Sequence, residues 1–192
     1  MFGRKHPEIQ TARMILRLPR QSDYTEWLKV RTASADFLAP WEPIRGPEYL
    51  SRASFRQRVN WGKRSIYEKH GMPLFLVRRQ DGQILGGLNL DNFQHGVSQS
   101  CTIGYWMGVN FARQGYMAEA LPAVVNHAFT ALDIGRVQAG CLPENAPSRA
   151  LLEKSGFKYE GVAQSYLQIA GRWRNHVLYA SLRRDRRGRV EE

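Results

Sequence analysis

The nine residues Ala112 to Ala120, ARQGYMAEA, constrain this chain more than any other stretch, because they read as a tight turn opening directly into a helix. Before them runs Cys101 to Val109, CTIGYWMGV, a short apolar and aromatic segment with the character of a buried strand. After them Leu121, Val125, Ala128, Phe129 and Leu132 fall on one helical face, and Gly135 closes the segment. Gly115 can take a positive φ and lets the main chain approach a ligand, while the uncapped N–H groups of a helix start favour negative charge. Strand, tight loop and helix start together suit a bound phosphate. An ordinary strand-to-helix connection could carry the same residues, since a single glycine is a weak signal. Pro122 removes the bond to the Ala118 carbonyl and should bend the first turns of the helix.

The remaining chain supplies a sheet and helices around this unit. Arg13 to Leu18 alternates apolar and basic residues as a half-buried strand does. Ser22 and Asp23 then offer a cap for a helix carrying Tyr24, Trp27, Leu28 and Val30. In FLAPWEP, Phe37 to Pro43, two prolines bracket Trp41 and Glu42, which predicts a stiff loop with an exposed acid. Glu48 to Lys69 reads as one or two basic helices, ended by Gly71. From Pro73 the period becomes that of a sheet: LFLVRRQ, an Asp81-Gly82 turn, then ILGGLNLDNF, followed by SQSCTIGYWMG as a third antiparallel strand. Val137 to Leu142 is a further strand, and Asn145-Ala-Pro-Ser148 caps a helix running through Leu151, Leu152 and Lys154 to Gly156. Two last strands, around Val162 to Ala170 and His176 to Leu182, flank a Gly171-Arg172 turn. The pattern is α+β, one domain over residues 1–182, with a basic tail at 183–192.

Composition bounds the rest. At 192 residues the chain can bury a core without disulfides or metal. No run approaches the roughly 18 apolar residues of a membrane span, and MFGRKHPEIQ has no apolar signal core, so a cytoplasmic protein without membrane contact is expected. Cys101 and Cys141 sit in apolar strand-like runs with no Cys/His cluster beside them, so no metal is expected. A net charge of +11 favours a polyanionic surrounding such as RNA, or an acidic small ligand. Arg183, Arg184, Arg186, Arg187 and Arg189 concentrate that charge, either as a solvated tail or as a nucleic-acid contact.

Two segments together, GYWMGVNFARQGYMAEAL and NAPSRALLEKSGF, resemble the Gcn5-related N-acetyltransferase (GNAT) superfamily. FLAPWEP and SYLQIAGRWRNHVLYA look further like its RimJ/RimL branch of ribosomal-protein-alanine N-acetyltransferases. The resemblance implies a mostly antiparallel sheet of about seven strands, splayed in the middle and flanked by helices. It implies acetyl-CoA as co-substrate, its pyrophosphate on the amides of Gln114, Gly115, Tyr116, Met117 and Ala118. The backbone of Met107, Gly108 and Val109 would contact the pantetheine arm and the oxyanion, and Asn145 the pantetheine arm; taken alone, Asn145 reads as a helix cap. Many relatives place a tyrosine general acid where Leu152 stands here, and Leu152 cannot donate a proton. Ser148 matches the serine assigned that role in the branch, or else simply starts a helix. Glu42 is the candidate base or amine anchor, against a surface acid that only caps or salt-bridges. Ala112 and Met117 depart from the family's usual loop residues, which leaves backbone N–H groups to hold the ligand. The implied reaction is acetyl transfer to the N-terminal amine of a protein, a ribosomal protein above all, with possible ribosome or RNA contact through the basic surface. The alternatives are a small-molecule amine acceptor, or a non-catalytic RNA- or ribosome-binding module on the same fold.

Overall fold

The computed structural model describes residues 7–184, and Arg186, Arg187 and Arg189, with the nucleic-acid contact expected of them, lie outside those residues. Eight strands form a single sheet in the order β1-β2-β3-β4-β5-β6-β8-β7. They are β1 (Glu8–Gln10), β2 (Met14–Arg17), β3 (Met72–Arg78), β4 (Ile84–Gln94), β5 (Ser100–Met107), β6 (Arg136–Cys141), β7 (Lys158–Ile169) and β8 (Arg172–Leu182). The helices are α1 (Tyr24–Ala33), α2 (Ala35–Leu38), α3 (Arg52–Tyr67), α4 (Tyr116–Thr130) and α5 (Ala146–Lys154). Every strand pair is antiparallel except β5 with β6. The α+β class and the mostly antiparallel sheet are those the sequence predicts. The strand beyond the expected seven is β1, three residues carrying one apolar side chain, Ile9, too short to show an alternation.

Helices α4 and α5 cover one face of the sheet. Leu121, Val124 and Ala128 of α4 and Leu152 of α5 pack there with Leu16, Leu76, Leu88, Ile103 and Val137. On the other face Trp27 of α1 and Phe55 and Val59 of α3 pack on Phe75, Val77 and Ile84. Strand β3 is therefore buried on both sides, which is why its sequence is continuously apolar rather than alternating. Strands β7 and β8 begin earlier than their hydrophobicity suggests, since the starts of both are largely exposed and are held by the hairpin ladder instead of by burial. Asp23 also departs from expectation. Its carboxylate makes no cap bond to α1. Instead it accepts from Arg17 Nη1 and Nη2 (2.7 and 2.8 Å) and from the Arg20 N–H (2.7 Å).

The central irregularity lies between β5 and β6. They pair only at Ser100/Arg136, Cys101/Val137 and Thr102/Gln138. Beyond that point β5 follows β4 as far as Met107 and β6 follows β8 as far as Cys141. The two central strands diverge and leave a wedge-shaped gap open to the loop that precedes α4.

Candidate active site

The loop from Gly108 to Gly115 is braced from within and from Arg13, the residue before β2. Gln114 Nε2 donates to the Asn110 carbonyl (2.7 Å), and Arg13 Nη1 to the Gln114 carbonyl (3.0 Å). The Arg13 guanidinium also lies 4.3 Å from the Tyr116 ring centre, and its Nε donates to Glu119 (2.6 Å). Gly115 sits at the N-cap of α4 with φ +80°, the left-handed conformation that glycine adopts at least cost. The first bond of the helix runs from the Glu119 N–H to the Gly115 carbonyl (3.1 Å). The N–H groups of Tyr116, Met117 and Ala118 thus precede the helical ladder, at the positive end of the helix dipole. Arg113 takes φ +61° without being glycine, a strained conformation of the kind that gathers at ligand sites.

Backbone polarity along β5 identifies which groups line the gap. The Gly108 N–H donates to the Leu85 carbonyl (2.8 Å). Since bonded pairs alternate along an antiparallel ladder, Gly104, Trp106 and Gly108 turn their amides to β4 while Tyr105 and Met107 turn theirs to the gap. The Val109 N–H is also engaged, donating to the buried Ser34 Oγ (3.0 Å). Of the expected trio, Met107 offers free backbone to the gap, whereas the amides of Gly108 and Val109 hold the strand end in place.

Helix α5 brings Asn145 and Ser148 to the same opening. Asn145 Oδ1 accepts from the Ser148 N–H (3.1 Å), so it does cap the helix, and Pro147 fits the first turn where no N–H is needed. Asn145→Ala should therefore lower stability by about 1 kcal/mol, read as a shift in the urea midpoint. Ser148 Oγ lies 2.8 Å from the Tyr105 hydroxyl across the gap. Burial pushes the Tyr105 phenol well above its ordinary range and the Cys141 thiol beside Ser148 upward as well, so both stay protonated at neutral pH. The result is a neutral, proton-carrying pair, Tyr105 and Ser148, next to exposed strand backbone. Leu152 is 1% exposed and packed in the core, out of reach of any ligand.

Glu42 differs from the exposed acid expected of its loop. Its two carboxylate oxygens accept from Arg31 Nη1 and Nη2 at 2.9 and 2.6 Å, and its side chain is 17% exposed against 7% for Arg31. The Arg31 guanidinium also lies over the Trp106 ring, 4.8 Å from its centre. A bond from the Ala170 N–H to the Glu42 carbonyl (3.0 Å) ties this loop to the β7–β8 turn. The prolines do not exclude helix altogether, because Ala39–Trp41 form one 3-10 turn with Pro40 in it. Of the tail arginines, Arg183 is committed to the fold, its Nη1 on Asp133 (2.7 Å) and the Phe129 carbonyl (3.3 Å).

Sequence reasoning missed Tyr105, Arg13, Arg31 and Ser34. Tyr105 could have been found by parity, since it follows Cys101 and Ile103 on the α5 face of β5. The other three act between separate elements and leave no local pattern. Among the described residues no cluster of three or more His, Cys, Asp or Glu could hold a metal ion, and no helix is long and apolar enough to cross a membrane.

The profile of the acetyltransferase (GNAT) domain family matches residues 13–158. The [ribosomal protein uS5]-alanine N-acetyltransferase of Escherichia coli is 32% identical over 186 residues, covering 94% of this chain and 95% of that protein. RimJ of Mycobacterium smegmatis, solved in complex with CoA-disulfide, superposes with a TM-score of 0.87 at 30% identity, over 95% of this chain and 90% of that one. The ribosomal-protein-S5-alanine acetyltransferase of Vibrio fischeri shares the fold, with a TM-score of 0.87 at 24% identity over 93% and 98% of the two chains.

Proposed function

The chain belongs to the GNAT acetyltransferase family and is an acyltransferase, and from that premise we propose that it moves the acetyl group of acetyl-CoA to the N-terminal α-amine of a protein. We take a ribosomal protein with an N-terminal alanine as the acceptor, on the similarity to the E. coli enzyme across nearly the whole of both chains. The observation that carries the acetyl-transfer reading is the gap beyond Thr102 and Gln138, with free strand backbone on one side and the Tyr105–Ser148 pair on the other.

The residues fit the donor. The leading amides of α4 and the left-handed Gly115 suit a pyrophosphate, and the open edges of β5 and β6 suit the amide-bearing arm. Acetyl-CoA supplies an activated thioester carbonyl. The amides of Tyr105 and Met107 face the gap and can donate to an oxyanion forming there. The Tyr105 hydroxyl holds Ser148 in place, and Ser148 can pass a proton to the departing sulfur as it recovers one from the water that accepts the amine's proton. Such help need only be modest, because a thiol near pKa 8.5 is already a good leaving group.

Glu42 serves as amine anchor rather than base. Arg31 occupies one lone pair on each oxygen, which leaves others to accept from an ammonium. An α-amine titrates at about 7.7 to 8.0 against about 10.4 for lysine, so deprotonation near neutral pH costs roughly 3 kcal/mol less and water can accept the proton. The absence of a tyrosine at Leu152 is compatible with that easier acceptor.

Acetyl-CoA incubated with N-terminal peptides and analysed by mass spectrometry tests the reading. Acetylation on the α-amine of an alanine-initiated peptide is the expected result; a small amine that outpaces every peptide, or no transfer at all, would sink it. Gly115→Ala should weaken acetyl-CoA binding about tenfold by calorimetry, since moving residue 115 out of the left-handed region costs on the order of 1–2 kcal/mol and re-aims the first amides of α4.

A further inference from the structure

Continuing the β5–β6 register past Thr102 and Gln138 brings Gly104 level with Gly140, one on each lip of the gap. Side chains alternate along a strand, so both glycines share the sheet face of Thr102, Trp106 and Gln138, opposite to Tyr105 and Ser148. Neither position demands glycine for the fold. Neither has a positive φ. A Cβ at Gly104 would meet nothing within 4 Å, and one at Gly140 would make only ordinary contacts, with Leu178 at 3.5 Å, Tyr166 at 3.6 Å and His176 at 3.9 Å. Glycine inside a strand weakens it, and its usual justification is the close approach of another backbone.

The surroundings of the pair indicate which backbone. On one side stands the Glu42–Arg31 pair over Trp106. On the other stands Tyr166, its ring edge-on to His176 at 5.6 Å and against Gly140. A bulge between Ala163 and Leu167, with Ser165 at φ +47° and its N–H on Asn175 Oδ1 (2.9 Å), fixes that orientation. The bond from Ala170 to the Glu42 carbonyl links the two sides.

Resting on the acetyl-transfer reading, we propose that Gly104 and Gly140 form the floor of the acceptor groove, over which the main chain of an extended peptide crosses to present its amine. The donor side of the gap, with Ser148 and Tyr105, lies on the opposite face and is untouched by them.

The test compares wild type with Gly104→Ala, Gly140→Ala, the double variant and Gly104→Val. KM for alanine- and serine-initiated synthetic peptides should rise about tenfold or more in Gly104→Val and in the double variant. The Kd for acetyl-CoA should stay within twofold of wild type, and the melting midpoint should hold or rise, since the replacements favour the strand. Unchanged peptide KM in the double variant would overturn the inference. So would an acetyl-CoA Kd that rises in step with KM, or a fall in melting midpoint that accounts for the lost activity. Wild-type protein that fails to bind acetyl-CoA would overturn the underlying acetyl-transfer reading, an outcome read before any variant is made.

Discussion

Ser148→Ala is expected to lower kcat about 100-fold with little change in the Kd for acetyl-CoA, at the low end of the range for a lost proton donor because the thiolate is a good leaving group. Tyr105→Phe keeps the ring and removes the hydroxyl that holds Ser148 at 2.8 Å, so it should cost about tenfold in kcat. If the two hydroxyls act as one unit, the double variant should be no slower than Ser148→Ala alone, the non-additivity of groups in series. Steady-state kinetics with an alanine-initiated peptide, paired with calorimetry, reads both quantities. Wild-type kcat in Ser148→Ala would remove it from the chemistry. A loss of acetyl-CoA affinity that matches the loss of rate would make it a binding residue instead.

The second large effect concerns stability. Glu42→Ala leaves the Arg31 guanidinium, 7% exposed, without its carboxylate, and should cost about 3 kcal/mol, the low end for breaking a buried pair because Glu42 keeps some access to water. For a domain of ordinary stability, about 5–15 kcal/mol, that is a large fraction. Replacing both residues by apolar ones, Arg31→Met with Glu42→Leu, should cost less than the sum of the single changes, because no charge is then left buried alone. Urea unfolding of the four proteins in the cycle measures this. Additive losses would mean that the pair is only a surface contact. Turnover of Glu42→Gln, measured well below its melting midpoint, then reports on the acceptor side: a raised peptide KM fits an anchor, whereas a lost kcat with KM unchanged fits a base.

Legibility in the sequence followed the range of each interaction. The strand, loop and helix around ARQGYMAEA could be read because its signals are local: a glycine where φ must be positive, a helix start, and apolar spacing on either side. The same holds for Asn145 as a cap three residues before Ser148. Glu42 was legible as a residue worth attention but not in its setting, since its partner Arg31 stands eleven residues away on another element and no periodicity joins the two. Tyr105 was hidden by its own strand, where an aromatic residue among Trp106 and Met107 looks like core until the gap beside it is seen.

The amino-acid sequence by itself determined the element order from β2 onward apart from the short α2, the tight turn before α4 and the family, because each depends on residues close together in the chain. Tertiary structure alone decided that β5 and β6 part company after Thr102, that the amides of Met107 and Tyr105 face the opening while those of Gly108 and Val109 are spent, and that Gly104 and Gly140 stand level across it. The physical reason is that strand register and amide direction are properties of pairs of strands. No single strand carries them, so a loop that suits a phosphate becomes one end of a site only once its sheet has split.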